Sequence, residues 1–492
     1  MSLSDLVVFI DVPDGFVPRA RWALDTMLAP LGRRAALMRD PAQSGGAALA
    51  YAASPVEGVP TIPCSAAALE LFANERPLPA GAFTARESGH GSAVAAFHAD
   101  PGAGFAVRFD LVASAFALLA CWDERTTTVR DDYGRLPYSA SVFAANPQLE
   151  LEEPAVDAYV SLLRAVLAPR LDTLGLKPLP AAGWMWDAGK ARAGHAIALT
   201  HDLDKLWRWT AREFAAVGYR SARAALHGNG AALNRELGDL GDWLTRHVPQ
   251  RTDPFWTFPQ IFGGEDARGV SSTFFVIARH TQLTDGIQPK KYHKRIPQAL
   301  MLLRGHGSEI GLHGNDSDRL RLDSLNADRS LLASSAHAEV RGVRYHYLRC
   351  LYHETLPLLE QARFSYDTSL AFAEREGFRC GCSFPFRPYH LRQERPLDLM
   401  ELPLAVMDGT LQQPHYRSLD AAGAEHAAAT VLDRVDRSGG AASILWHNNR
   451  FDRRVSRGYD GVYWRLVDRA LEQRAWVTSA DAVVTRWREA TS

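Results

Sequence analysis

The chain reads as an α/β protein in two parts, a C-terminal (β/α) barrel over residues 190–492 and a smaller N-terminal α/β domain over residues 1–185. Three observations predict this. At 492 residues the chain is longer than one hydrophobic core normally organises. From about residue 190 short apolar runs recur, each followed by a polar or helical stretch, which is the pattern of a parallel sheet. There are about seven such units, which suits a barrel better than an open sheet.

In the first part, Leu6–Ile10 and Phe105–Phe109 read as strands, and Arg19–Ala29 and Pro154–Leu167 as helices. Ala- and Gly-rich loops around 43–49 and 81–92 separate them. The charged runs Asp123-Glu124-Arg125 and Arg130-Asp131-Asp132 read as solvated faces. A Pro- and Gly-containing stretch, Leu176–Gly183, reads as a linker. Beyond it the predicted strands are Ile197–Thr200, Ser272–Ile277, Glu309–Leu312, Val343–Tyr347, Leu399–Leu404, Ser443–Trp446 and Trp476–Thr478. Pro297–Arg304 and Asp420–Val435 are amphipathic stretches between them. Residues 207–267 are long for one crossover and hold two helix-like pieces, Trp209–His227 and Ala231–His247, so they read as an insertion over the barrel mouth.

Composition excludes several classes. A net charge of −1 gives no global electrostatic case for nucleic acid or anionic membrane as a partner. No apolar stretch approaches the ~20 residues of a membrane span. The start of the chain reads as a strand and not as a signal peptide, which makes the cytoplasm the expected compartment. Five cysteines are too few for a disulfide scaffold, and Cys380-Gly381-Cys382 reads as two unpaired thiols.

The chemistry collects where barrel strands end, the face on which such folds place their sites. Asp202 and Asp204 follow Ile197–Thr200, and His313 follows Glu309–Leu312. Arg344 and His346 lie in the next strand, Asp367 follows Phe364-Ser365-Tyr366, and His447 ends Ile444-Leu445-Trp446. Taken singly these residues have ordinary explanations, since paired aspartates also cap helices. Taken together they describe metal-assisted hydrolysis of an amide or ester. A carboxylate with one or two imidazoles makes a divalent site with open positions. A second carboxylate can accept a proton, with a cation such as Arg344 beside it to keep it ionised. A histidine on the far side can protonate the leaving amine.

Four segments, in order, carry a family resemblance: Leu199-Thr200-His201-Asp202-Leu203-Asp204, Ser272-Thr273-Phe274-Phe275-Val276, Glu309-Ile310-Gly311-Leu312-His313-Gly314 and Leu445-Trp446-His447-Asn448. They resemble the motifs of polysaccharide deacetylases, the NodB-homology enzymes of carbohydrate esterase family four, and most closely the subgroup whose first motif is His-Asp-x-Asp. Arg344-Tyr345-His346-Tyr347-Leu348 and Phe372-Ala373-Glu374-Arg375-Glu376-Gly377-Phe378-Arg379 are similar to further stretches of that subgroup. The first part, around Asp110–Asp123 and Gly134-Arg135, looks like the uncharacterised domain that often precedes it. The resemblance implies a distorted barrel of the NodB type, with Asp202 as catalytic base, Asp204 and His313 as metal ligands, Arg344 as partner of the base, and His447 as general acid. It also implies Asp367 as the acid that orients His447.

One position departs from the pattern. The usual His-x-x-x-His places two imidazoles on adjacent turns, whereas this chain has Ser317 at the second position. His346 stands where proline is common, two residues from Arg344 on one predicted strand, so both would point to one side. It is the expected third ligand, with Asp316 as the alternative. Arg387, Tyr389 and Trp446 are the expected substrate contacts, Arg387 and Tyr389 from a mouth loop over residues 384–389. Trp207, Trp209, Trp256 and Trp464 are further aromatic candidates for stacking on a sugar.

The expected cofactor is one divalent metal, zinc, with manganese, cobalt and nickel as alternatives. The expected partner is an acylated amino sugar in a surface-glycan precursor, and the expected reaction is removal of its N-acetyl group. A metal-independent cyclic-amide hydrolase and an inactive glycan-binding barrel are the rival readings.

Overall fold

The computed structural model describes residues 3–98, 104–179, 183–185, 193–209, 211–244, 253–279, 289–315 and 320–492. In the first part the strands Arg33–Met38, Ser4–Asp11, Leu49–Ala52 and Thr61–Pro63 lie in that order as a parallel sheet. Helices Val17–Leu28, Leu111–Leu119 and Ala155–Thr173 pack beside it. The predicted strand Phe105–Phe109 does not form. Phe109 makes only an isolated bridge to His98, because the next residue, Asp110, is committed to capping a helix by accepting from Ala113 N at 2.8 Å.

The second part is the (β/α) barrel that the sequence predicts. Its parallel ladder runs Met400–Glu401, Tyr366–Asp367, Gly342–Tyr345, Glu309–Gly314, Thr273–Val276, Ala196–Asp202, Ala441–Leu445 and Leu404–Met407. The Ala196–Asp202 strand divides one edge, pairing Ala196–Ala198 with Trp476–Thr478 and Thr200–Asp202 with Thr273–Phe275. All seven of its residues are buried, as a strand covered on both faces requires. The registers set Thr200 beside Leu445 and His313 beside Arg344, so the strand ends carrying polar residues meet on one face of the barrel.

Two predicted strands end elsewhere than expected. Val343–Tyr347 is strand only to Tyr345, and His346–Leu348 is a tight turn with Tyr347 at φ 57°. Leu399–Leu404 is two pieces, and the second continues as Leu404–Met407. Of the insertion, the described residues form helices Ala211–Leu226, Gly230–Leu244 and Phe258–Asp266. The expected helix Ala231–His247 runs in part outside the described residues. The segment is tied to the barrel by Asn448, whose side chain donates to the carbonyls of Lys205 at 2.9 Å and Phe255 at 2.7 Å.

One buried apolar cluster extends from Leu6 to Ala490 and takes in both parts. Polar links cross the same boundary. The run Asp123-Glu124-Arg125, expected to be solvated, turns inward: Glu124 is buried against Arg379 and also accepts from Tyr352 N at 2.6 Å. Glu374 accepts from Tyr138 N at 3.2 Å, and Phe372 packs edge-on against Tyr138. At Gly377, φ is +129° and a Cβ would meet Leu151 O at 2.5 Å, so only glycine lets the two backbones touch here. All five cysteines are buried free thiols, with Cys121 Sγ 3.6 Å from Cys380 Sγ. Among the described residues no helix is long and apolar enough to cross a membrane.

Candidate active site

Arg344 is the fixed centre of the barrel mouth. Its guanidinium is fully buried and all five N–H groups have acceptors. Nε donates to Thr368 O at 2.9 Å, and Nη1 to Thr200 Oγ1 at 2.6 Å and Asp202 Oδ1 at 3.2 Å. Nη2 donates to Thr368 Oγ1 at 3.1 Å and Ser443 Oγ at 3.4 Å. The Phe275 ring lies 4.7 Å from its Cζ, in a position open only because residue 311 is glycine, where a Cβ would sit 2.5 Å from that ring. Asp202 therefore faces a rigid cation with one oxygen. Its other oxygen, Oδ2, lies 3.7 Å from His313 Nε2.

Asp204 stands among three imidazoles. His313 Nε2 is 3.1 Å from its Oδ1, His346 Nε2 is 3.6 Å from Oδ2, and His447 Nε2 is 3.4 Å from Oδ2. Burial is the strongest single influence on Asp204 and opposes its charge, but these imidazoles hold its carboxyl well below the usual range.

The donor set fits a divalent cation. One ligand atom each from Asp204, His313 and His346 lies within 4.8 Å of the others. His313 Nδ1 donates to Arg344 O at 2.9 Å, which leaves the Nε2 lone pair facing inward. Asp204 Oδ1 and His313 Nε2 are buried, and neither makes a hydrogen bond among the described residues. Buried polar atoms aimed at one point without hydrogen-bonded partners are costly unless a further group joins them. One carboxylate and two imidazoles with room beside them suit zinc or a similar borderline metal. Asp316 and Ser317 lie outside the described residues.

On the other side of Asp204, His447 Nδ1 donates to Asp408 Oδ1 at 2.6 Å. Burial works against the His447 charge, but Asp408 reverses that influence and raises its pKa to about 9. Asp408 is itself held ionised against burial by His447 and Arg450, whose Nε is 3.1 Å from Oδ2. Asp367, expected to orient His447, is not its partner. Its oxygens accept from Ser369 N at 2.8 Å and Ser369 Oγ at 2.7 Å. It also bonds Glu401, whose pKa burial and Asp367 together raise well above the usual range. Asp408 was legible, since Leu404-Ala405-Val406-Met407-Asp408 is another apolar run ending in an acid. Ending that strand at Leu404 hid it.

A cavity of about 270 Å3 opens onto Asp202, Asp204, His346 and His447. The expected substrate contacts are elsewhere. Trp446 is fully buried against Tyr459 and Tyr463. Tyr389 is buried against Trp22, its hydroxyl donating to Glu394 at 2.9 Å. Arg387 is half exposed, with its nearest acid Asp398 at 3.7 Å. The mouth-loop reading fails because Phe384 and Phe386 are buried and Phe386 bridges Glu401. Besides its imidazoles, the cavity is lined by the rings of Tyr133, Tyr345, Tyr347 and Tyr416, with Arg135 beside them. Two of these residues come from the N-terminal part, where sequence reasoning found no chemistry. Only Gly134-Arg135 marked them.

A model of a family of unknown function, DUF7033, matches residues 17–171. No curated protein matches the chain. Among solved structures the chain is similar to a protein described as a polysaccharide deacetylase from Mycobacterium smegmatis, at 19% identity and a TM-score of 0.41, covering 63% of this chain and 94% of that one. It is similar to PuuE allantoinase at 14% identity and a TM-score of 0.40, over 64% and 95% of the two chains. It is also similar to a CE4-family pseudoenzyme from Bacillus anthracis at 11% identity and a TM-score of 0.31, over 59% and 65%.

Proposed function

We propose that this protein is a metal-dependent hydrolase that removes an acyl group, N-acetyl, from an amino sugar in a surface-glycan precursor. One observation carries the reading: Asp204, His313 and His346 offer ligand atoms within 4.8 Å of one another, with a paired carboxylate on one flank and a paired imidazole on the other. The metal-independent alternative depends on a missing third ligand, and a His346 ligand atom within 4.8 Å of those of Asp204 and His313 weighs against it.

Asp204, His313 and His346 would hold the metal, which when bound supplies Lewis-acid polarisation of a carbonyl and acidification of water. Zinc suits these donors. Asp202 accepts the proton of the attacking water at Oδ2, while Oδ1 stays on Arg344. Because Arg344 cannot shift without giving up five hydrogen bonds, the base keeps one orientation. His447 delivers a proton from Nε2 to the departing amine nitrogen, and Asp408 holds the ring in the form that carries it. The tyrosines of the cavity give apolar faces suited to a pyranose, and their hydroxyls can meet its oxygens.

The test is acetate release from a panel of N-acetylated amino sugars, free and nucleotide-linked. Release that stops on chelation, returns with zinc and is lost in Asp202→Asn supports the mechanism. Release that survives both exhaustive chelation and Asp202→Asn sinks it.

A further inference from the structure

The residue that completes the proposed ligand set lies just beyond the end of its barrel strand. His346 comes after its strand has ended, in a turn where two successive non-glycine residues, Tyr347 at φ 57° and Leu348 at φ 55°, adopt the left-handed conformation. Each such residue costs roughly 1–2 kcal/mol and persists only where its surroundings impose it. The barrel packs Leu348 against Ala373, Leu404 and Leu445, and the other part of the chain holds Tyr347. Arg135 Nη1 donates to the carbonyl of Tyr347 at 2.6 Å. The Tyr133 ring packs on the Tyr347 ring with centroids 4.8 Å apart, and Tyr347 in turn stacks on His346 at 3.9 Å and 23°.

That clamp is itself rigid. Asp131 binds Arg135 through Nε at 2.8 Å and Nη2 at 2.6 Å, and accepts the backbone N–H groups of Tyr133 at 3.0 Å and Arg135 at 2.9 Å. Arg135 is 6% exposed, and its guanidinium lies 4.8 Å from the Tyr133 ring. A buried, fully engaged arginine spending one donor on the carbonyl of a strained turn fixes that turn in space. We infer that Arg135 and Tyr133 are positioning residues for His346, so that the N-terminal part of the chain assembles the third ligand of the metal site. This rests on the metal-dependent reading proposed above, and it gives the N-terminal part a role in that chemistry.

The experiment measures Zn(II) affinity of the full chain by competition with a chromophoric chelator, and the visible absorption of the Co(II) form. Asp204→Asn and His346→Ala are expected to bind weakly. Arg135→Met is expected to bind about 10- to 100-fold more weakly than wild type, the range seen when the outer support of a ligand is removed, and to change the Co(II) spectrum. Arg135→Lys, which keeps one donor for the Tyr347 carbonyl, recovers most of the affinity. If Arg135→Met does not fold, Tyr133→Leu carries the same comparison with the Asp131–Arg135 pair intact. Wild-type affinity in Arg135→Met and Tyr133→Leu, with His346→Ala weakened, overturns the positioning role and leaves the hydrolase reading standing. Zinc binding that is indifferent to Asp204→Asn and His346→Ala removes the metal site, and both readings fall.

Discussion

Both parts of the molecule bury carboxylates, and they treat them in opposite ways. In the N-terminal part Asp110 accepts from Ala113 N, Ser65 N and Tyr51 Oη at 2.8–2.9 Å. Asp157 accepts from Ser383 N at 3.0 Å and from the Ser383 hydroxyl, and Glu124 faces Arg379 and Tyr352 N. Every one of these is tied off by fixed donors and serves to hold elements together. At the barrel mouth, Asp202 keeps one oxygen off its arginine, and Asp204 points an oxygen at His313 Nε2 with no hydrogen bond between them. Burial of an acid is therefore a poor mark of function by itself. What separates the two regions is whether the lone pairs are spent within the protein or left facing a cavity.

The sharpest test of that difference is the pair at the mouth. Asp202→Asn should lower kcat for amide hydrolysis by about 10³-fold, within the range for a lost acid–base group. Its metal content by elemental analysis should stay unchanged. A variant that keeps a tenth of the wild-type rate would put Asp202 in the same class as Asp110. Next in size is the joint between the two parts. Glu124→Ala leaves Arg379 buried without its partner and should cost about 3–5 kcal/mol of unfolding free energy in denaturant titration. Zinc affinity should not follow it, and if it does, the two regions are not separable in this way.

Asp408→Asn should cost about 10²-fold in kcat and move the alkaline limb of the pH–rate profile to lower pH, because it removes the main influence raising His447. Asp367→Asn should leave that limb in place. A limb that responds to Asp367 and not to Asp408 would restore the assignment read from sequence.

The smallest effect concerns Asp157, whose carboxyl burial raises from 3.8 to about 6. Between those values the folded chain binds more proton than the unfolded one, so stability falls as pH rises through this window and is level above it. The penalty is full at neutral pH and relieved on acidification. On going from pH 7 to pH 5 the wild type should gain about 1 kcal/mol of unfolding free energy relative to Asp157→Asn. A constant difference between the two proteins would mean that Asp157 is not held out of water as its hydrogen bonds suggest.

Much of this protein is written locally. A strand buried on both faces must be apolar throughout, so runs such as Ala196–Leu199 announce themselves, and so does the polar residue that ends each run at the mouth. That is why Asp202, Asp204, His313, Arg344 and His447 could be named from their positions alone, and why they stand together around one cavity or directly beneath it. The acid behind His447 was legible by the same rule but depended on where one strand ends, and strand ends are set by pairing. The register that carries Leu404–Met407 alongside Ser443–Leu445 brings Asp408 to the histidine, and no local pattern states it.

Other features belong to tertiary structure alone. His346 lies one residue past its strand, yet Tyr345 is still extended, so Arg344 and His346 both face the aspartates. What the sequence does not state is the left-handed turn at Tyr347 and Leu348 that follows. Arg387, Tyr389 and Trp446 have the composition of a sugar site, yet Trp22 covers Tyr389, Tyr459 and Tyr463 cover Trp446, and none of the three lines the cavity. Tyr133 and Arg135 look like ordinary loop residues until the shared core folds that loop against Tyr347, 212 residues further along the chain. Periodicity and strand-end chemistry are local properties, so the sequence by itself determined the architecture and the residue types at the mouth. Which lone pairs are spent and which remain free depends on contacts between distant segments, and only the folded chain decided that.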